Sequence, residues 1–278
     1  MNIPESACIL VRGTNDIASA VAHTLFLAGY PVAIHEVPEP TAMRRGMSFT
    51  DAVFDGTAWL DQVQAVRVDP PAECQARLRG HTSVPVSTAD LMELVQALRP
   101  DILIDARMRK HSQSEHQRGI AALTVGLGPN FIAGRDVDVA IETAWGEKLG
   151  SAVYSGSPAP LTGEPRPLGG HARERYVYAP ASGIFRSNCS IGDAVTQGKH
   201  IATLGNTPIL APLTGSLRGL TRDGVFVQER TKVIEVDPRG PMAVFYGITE
   251  RPARIAQGLL EVASKFVRGP AAHPAADG

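Results

Sequence analysis

The chain has 278 residues, of which 44% are hydrophobic and 20% charged, and its formal net charge is −1. This composition is typical of a globular protein with a buried core, while the near-neutral charge and an aromatic fraction of 5% argue against a nucleic-acid partner. A missing signal peptide, the lack of a membrane-length apolar run and three scattered cysteines together predict a cytoplasmic protein without a membrane partner, a disulfide framework or a cysteine zinc site.

The first 36 residues predict a strand, a glycine turn, a helix and a second strand. The apolar run 7–13 stops at Gly13, residues 17–28 have helical spacing, and 31–36 form another apolar run. A helix over 88–98, capped by Ser87 or Thr88, and later apolar runs extend the alternation; those runs are 101–105, 122–126, 137–143 and 149–154. Alternating helices and continuous apolar strands predict an α/β fold, a Rossmann-like and mainly parallel sheet with helices on both faces.

A segment rich in proline and glycine, residues 155–170, predicts a domain boundary. The pattern then changes to short strands and glycine turns, and finally to an amphipathic helix over 252–266. The sequence thus predicts four parts: a Rossmann-like ligand-binding domain (1–170), a small all-β module (171–240), a C-terminal segment with a helix (241–268) and a disordered tail (269–278).

The β module is predicted to be a duplication. The segment 179–183 (APASG) aligns with 211–215 (APLTG), and the offset of 32 residues continues without a gap to Gly192 and Gly224. Two such halves resemble the barrel-sandwich hybrid of biotinyl and lipoyl domains. Those carriers display a modifiable lysine between the halves, whereas residues 205–210 here are GNTPIL, so no biotin or lipoyl attachment is expected.

The first candidate site is the turn Gly13, Thr14, Asn15, Asp16. It lies where a strand passes into a helix, and the free N–H groups and dipole of a helix start favour an anion such as phosphate. Glu36 ends the next strand, about 20 residues later, where a carboxylate binds a ribose hydroxyl in dinucleotide sites. The alternative is that Asn15 and Asp16 only cap the helix and that Glu36 is an ordinary surface carboxylate.

Further candidates follow other strands of the predicted sheet. Gly126, Gly128, Pro129 and Asn130 form a loop that permits left-handed backbone and close approach of a ligand, and Glu142 ends the next strand. Carboxyl ends of parallel strands meet at one edge, so these groups predict a cleft.

The sequence assigns neither a catalytic residue nor a metal-ligand set. The pair Arg44 and Arg45 can bind a phosphate or a protein carboxylate. Asp105, Arg107 and Lys110 follow another strand on the same edge. The histidines show no metal-binding spacing, and no P-loop or nucleophile elbow is present.

Taken in order, several of these segments resemble the selenium-dependent molybdenum hydroxylase system proteins, over about Ile9 to Val262. The resemblance is carried by VRGTNDIASAVAHTLFLAGYPVAIHE, RRGMSFTDAVFDG, DARMRK, VGLGPNFIAGRDVDVAIET and LGSAVYSG. It implies an accessory protein for maturation or cofactor loading of a molybdenum hydroxylase of the xanthine dehydrogenase type, with that enzyme or its maturation machinery as partner. The implied ligand is an NAD-like nucleotide or a molybdopterin-type cofactor. The chain departs from the family at GTND, where GGGD is usual, and at Glu147, where the family has histidine.

Two other functions stay open on the sequence. One is a small NAD-dependent oxidoreductase with Glu36 on the ribose, although no Tyr-x-x-x-Lys pair stands out. The other is a non-catalytic scaffold whose β module docks a partner enzyme. A homo-oligomer is a further open alternative.

Overall fold

The structure is a computed structural model that describes residues 7–109, 115–160, 163 and 165–269. Lys110 and the predicted tail beyond Gly269 lie outside the described residues. The elements of the first half are β1 (Ile9–Arg12), α1 (Asp16–Leu27), β2 (Val32–His35), α2 (Asp51–Asp55), β3 (Thr57–Leu60), β4 (Val63–Arg67), α3 (Pro71–Gly80), β5 (Val84–Ser87), α4 (Leu91–Leu98), β6 (Ile102–Asp105), β7 (Leu123–Leu127), β8 (Val139–Ile141) and β9 (Ala152–Val153).

Eight further strands and one long helix follow. These are β10 (Tyr176–Tyr178), β11 (Gly183–Arg186), β12 (Ala194–Val195), β13 (His200–Leu204), β14 (Thr207–Leu210), β15 (Gly215–Leu220), β16 (Phe226–Val227), β17 (Lys232–Asp237) and α5 (Glu250–Arg268). Short 3-10 helices occupy Arg45–Met47, Arg173–Arg175 and Gly240–Met242.

The strands of the first half form one nine-stranded sheet in the order β3-β4-β5-β2-β1-β6-β7-β8-β9. Neighbours from β4 to β8 pair in parallel, and only the edge strands β3 and β9 are antiparallel. The α/β class and the mainly parallel sheet are therefore confirmed. From β1 the chain continues to β2 on one side, whereas β6 leads to β7 on the other, so the strand order reverses between β1 and β6.

Helices cover both faces of the sheet because alternate residues of each strand point to opposite sides. Ile9 and Val11 share one apolar cluster with α1 and α5. Leu10, between them in sequence, belongs to the cluster of α3 and α4 on the other face. The final helix therefore packs on the sheet domain, against α1.

The start of α4 differs from the prediction. The cap is Asp90, whose Oδ1 accepts hydrogen bonds from the backbone nitrogens of Met92 (2.8 Å) and Glu93 (3.2 Å). Ser87 is instead the last residue of β5, a strand that the sequence pattern missed. The strand has only four residues, VPVS, and one of its three apolar residues is a proline, so its sequence signal is weak.

The eight later strands form two four-stranded sheets, β10-β17-β15-β12 and β14-β13-β11-β16. The duplication is visible in them, because β15, β16 and β17 begin 32 residues after β11, β12 and β13. Gly192 and Gly224, which occupy matching turns, have φ of 95° and 87°. The same turn thus recurs at the same place in each half.

The division of the chain into domains at residue 170 stays a prediction. Within the described ranges, no helix combines the length and the apolar content that crossing a bilayer requires.

Candidate functional site

The glycine turn after β1 is shaped by contact with its own chain. Gly13 has φ of 110°, and a Cβ at this position would lie 3.2 Å from the Cα of Arg107. Asn15 caps α1 by accepting from the nitrogens of Ile17 (3.0 Å) and Ala18 (3.1 Å), and its Nδ2 donates to the carbonyl of Ala106 (2.8 Å). The glycine is therefore needed where β1 and β6 end side by side.

Glu36 does reach this turn, as its position in the sequence predicts. Its Oε2 accepts from both the backbone nitrogen and the hydroxyl of the fully buried Thr14, each at 2.7 Å. A backbone N–H that was expected to meet a ligand is thus satisfied by the protein itself.

The loop after β7 is also filled by neighbouring groups. The ring of Phe131 lies where a side chain on Gly126 would be, and Asn130 Nδ2 donates to the carbonyl of Arg109 (2.5 Å). Gly128, with φ of 98°, is followed by Pro129 and Asn130 in a turn. The missing side chain of Gly126 thus leaves room for the ring of Phe131 to pack on β7.

Glu142, which follows β8, is buried and fixes the backbone around it. Its two carboxylate oxygens accept from the nitrogens of Ala144 and Ala159, each at 2.7 Å. It therefore holds the loop after β8 in place.

The arginine pair connects the large sheet with the β module. Arg45 forms two hydrogen bonds of 2.9 Å with Asp51 and donates from Nε to the carbonyl of Leu220 in β15. Arg44 pairs with Asp16 at the start of α1 (2.8 Å) and with Glu235 in β17 (2.7 Å). Both arginines meet protein carboxylates, one of the two alternatives that their sequence left open.

Arg251, in the first turn of α5, completes this region. Its Nε donates to the carbonyl of Thr143 (2.9 Å), and its charge neighbours are Asp16, Arg44, Tyr176 and Glu142. We call Asp16, Arg44, Tyr176 and Arg251 the junction. Burial lowers the pKa of Arg251, Asp16 opposes that effect, and the positive charge of Arg44 adds to it. No described residue accepts a hydrogen bond from the two terminal nitrogens of Arg251.

Positive charge exceeds negative charge around the junction. Glu235 is fully buried and contacts Arg44, Arg175 and Arg218. Burial alone would raise the pKa of Glu235, but Arg44 and Arg218 outweigh it and lower that pKa to about 2. Apart from Asp237 and Arg239, which pair with each other at 2.6 Å, the region with Arg251 holds four guanidinium groups against the three carboxylates of Asp16, Glu142 and Glu235.

Sequence reasoning predicted Asp16, Arg44 and Glu142 but missed Arg251, Tyr176 and Glu235. One signal for Arg251 was present, because a cation in the first turn of a helix opposes the helix dipole and is unfavourable without an anion nearby. No linear spacing connects α5 or β17 to the turn after β1.

A second polar group lies on the opposite face of the same edge. His35, Arg12 and Asp105 are neighbours in register on β2, β1 and β6. Burial would raise the pKa of Asp105, but its hydrogen bonds from Arg107 lower it, whereas burial and the charge of Arg12 lower the pKa of His35 to about 4. Arg12 Nε, His35 Nδ1 and Gln117 Oε1 have no hydrogen-bond partner within the described part of the chain. These atoms are closed to solvent, so we do not count the group as a ligand site.

Among the described residues, no group of three or more His, Cys, Asp or Glu side chains is placed to hold a metal ion.

Sequence comparison gives one informative match. No family model matches the chain. Over 253 residues the chain is 39% identical to the uncharacterized protein YqeB of Escherichia coli (strain K12), a match that covers 91% of this chain and 46% of the relative. The chain thus spans about half the length of the curated relative, whose name states no activity.

Comparison with solved structures gives only distant likenesses. They include an aspartoacylase family protein from Mesorhizobium loti (13% identity, TM-score 0.21) and a succinylglutamate desuccinylase/aspartoacylase from Rhodobacter sphaeroides (14%, 0.21). Each of these two matches covers 83% of this chain, and they cover 51% and 52% of the respective solved proteins. A third is a putative succinylglutamate desuccinylase/aspartoacylase from Shewanella frigidimarina (14% identity, TM-score 0.22). That match covers 84% of this chain and 89% of the solved protein. Scores this low transfer neither a fold nor an activity.

These comparisons contradict the expected family and function. The three solved structures named above carry aspartoacylase and desuccinylase names, and none of these names refers to the selenium-dependent molybdenum hydroxylase system. Membership of that family, a role in maturing a molybdenum hydroxylase and selenium dependence are therefore wrong. The oxidoreductase and scaffold alternatives find no support either. Self-association stays a prediction.

Proposed function

We propose that this chain binds a small organic anion, bearing a carboxylate or a phosphate, at the junction. The observation that carries the proposal is Arg251, a partly buried guanidinium whose terminal nitrogens meet no acceptor among the described residues. A partly buried guanidinium is stabilised by an anion that accepts two parallel hydrogen bonds, and carboxylate and phosphate both match that geometry.

Arg44 supports the same ligand class. Asp16 and Glu235 hold its guanidinium from two sides, and its NH2 donates to the hydroxyl of Tyr176 at 3.2 Å. Its side chain is 22% exposed, and each of its three guanidinium nitrogens donates to a protein oxygen, so its position is fixed before a ligand arrives. A cation fixed in this way loses little conformational freedom when a ligand arrives.

The excess of positive charge adds to these contacts. Four guanidinium groups against three carboxylates leave a region of low dielectric with net positive charge, which an anion would neutralise. The start of α1, beside Asp16, contributes further positive potential through the helix dipole.

The finer aspects of the fold are part of the proposal. We interpret the sheet as Rossmann-like, supported by the β1-α1-β2 unit and by ligand sites of such sheets lying at the carboxyl edge where strand order reverses. We interpret the β module as a barrel-sandwich hybrid, supported by its two similar halves. A cytoplasmic location is supported by the three free cysteines.

Calorimetric titration with inorganic phosphate and with malonate tests the proposal. We expect at least one of the two to bind the purified chain and Arg251→Gln to weaken it about tenfold or more, as loss of a charge-assisted bidentate contact does. Arg268→Gln is the matched control, because Arg268 is exposed at the far end of α5, about 25 Å along the helix. Absence of binding by both anions, or equal effects of the two substitutions, would overturn the proposal.

A further inference from the structure

An open cavity lies next to the junction. Its volume is about 540 Å³, within the range of roughly 300–1,000 Å³ that is usual for small-molecule sites. Residues from three segments line it: the loop after β8 (Trp145, Gly146), the chain before the β module (Pro165, Arg166, Pro167) and the first turns of α5 (Glu250, Arg254).

The cavity wall and Arg251 are connected at two points of the chain. Glu250, which lines the cavity, directly precedes Arg251 in α5. On the opposite wall, Arg251 is hydrogen-bonded to Thr143, two residues before Trp145. Two residues span at most about 7 Å, so the Cα of Trp145 lies within that distance of the Cα of Thr143, whose carbonyl accepts the hydrogen bond of Arg251.

Several of the side chains that line the cavity are planar or ring-shaped. The guanidinium carbon of Arg166 lies 4.6 Å from the centre of the Trp145 ring, and Glu250 holds Arg166 by an ion pair of 3.2 Å. Trp145 remains 40% exposed, and two prolines flank Arg166. Indole, guanidinium and proline rings favour a planar partner, since each offers a flat face for stacking.

We infer that the anion bound at the junction carries a planar aromatic ring that packs in this cavity against Trp145 and Arg166. This inference rests on the proposed function, since Arg251 supplies the contact to the charged group. The ligand class is then an aryl carboxylate or an aryl phosphate. Arg166, Arg254 and Glu250 give the cavity lining one net positive charge, which favours an anionic ligand.

Calorimetric titration of the full chain with phenyl phosphate, cyclohexyl phosphate and inorganic phosphate tests the inference. We expect phenyl phosphate to bind about tenfold more tightly than inorganic phosphate, with cyclohexyl phosphate between them, because stacking adds to apolar burial. Trp145→Ala should remove the preference for phenyl phosphate and leave phosphate affinity unchanged. Trp145→Phe should retain most of the preference, and Arg251→Gln should weaken all three ligands.

The outcomes separate this inference from the proposed function. Equal affinities for phenyl and inorganic phosphate, unchanged by Trp145→Ala, would overturn the ring contact while anion binding stands. Failure of all three phosphates and of malonate to bind would overturn both. The comparison of phenyl with cyclohexyl phosphate needs only the wild-type chain, so it can be made even if Trp145→Ala fails to fold. Tighter binding of cyclohexyl phosphate than of phenyl phosphate would refute the inference.

Discussion

The carboxylate of Glu36 accepts two hydrogen bonds from Thr14, one from its backbone nitrogen and one from its hydroxyl. The strand-end carboxylate thus completes the glycine turn of its own chain. Donors without an acceptor among the described residues are found instead on Arg251, where the turn, α5 and the β module meet.

Replacing Glu36 by alanine should destabilise the turn. Thr14 is fully buried, so its backbone N–H would lose its acceptor without gaining water, which costs about 1–3 kcal/mol. Urea unfolding measures the loss. Glu39→Ala, at an exposed position close by in sequence, should change the free energy of unfolding by less than about 0.5 kcal/mol. Equal effects of the two substitutions would show that the Glu36–Thr14 contact contributes nothing.

Acid should weaken the fold through Glu235. The pKa of this carboxyl is lowered from 4.5 to about 2, since Arg44 and Arg218 outweigh the effect of burial. A depressed folded-state pKa contributes stability that is complete above the unfolded value and is lost as pH falls from about 4.5 towards 2. The loss amounts to about 3 kcal/mol.

Unfolding measured by urea at several pH values between 5 and 2 checks this effect, with Glu235→Gln as the variant. Its free energy of unfolding should be lower at neutral pH, because three guanidinium groups lose their shared partner, and should fall less steeply with acid. Glu229→Gln, in the same module with its side chain 58% exposed, should keep the wild-type slope. If the free energy of unfolding of Glu235→Gln fell with acid as steeply as that of the wild type, Glu235 would not be the source of the acid sensitivity.

Gly258 should be intolerant of a side chain although it lies inside a helix. A Cβ at this position would collide with the carbonyl oxygen of Gly150, which packs against α5. Alanine should therefore lower the melting temperature and, by displacing α5, weaken anion binding at Arg251. Gly80, the last residue of α3, is the control, because a Cβ added there would have no atom within 4 Å. Since alanine has the higher helix propensity, Gly80→Ala should stabilise the chain by up to about 1 kcal/mol. Similar melting shifts for the two variants would contradict this packing.

The local pattern of the chain was sufficient to predict the parallel sheet. The apolar run ending at Gly13, the helical spacing after Asn15 and the run ending at Glu36 correspond to β1, α1 and β2. The duplication was equally visible, because it rests on a constant offset that needs no three-dimensional information. The order of the strands and the contact of α5 with α1 depend on long-range packing and had no local signal.

The site was predictable only in part, because the partners of each charged group lie far away in the chain. Arg44 was a candidate by its pairing with Arg45, but its acceptor Glu235 comes from β17, and Arg251 comes from the last helix. A glycine near the end of a strand gives the same sequence signal whether the space beside it holds a ligand or a side chain of the protein. At Gly126 that space is filled by the ring of Phe131.

Anion binding at the junction is tested most directly by locating the anion in a crystal. Tungstate has the shape of phosphate and a strong anomalous signal, so crystals of the full chain soaked in it reveal the bound position. We predict an anomalous peak within about 4 Å of the terminal nitrogens of Arg251, close to Arg44, and its loss in Arg251→Gln. Peaks confined to other parts of the surface, or an unchanged peak in the variant, would contradict the account.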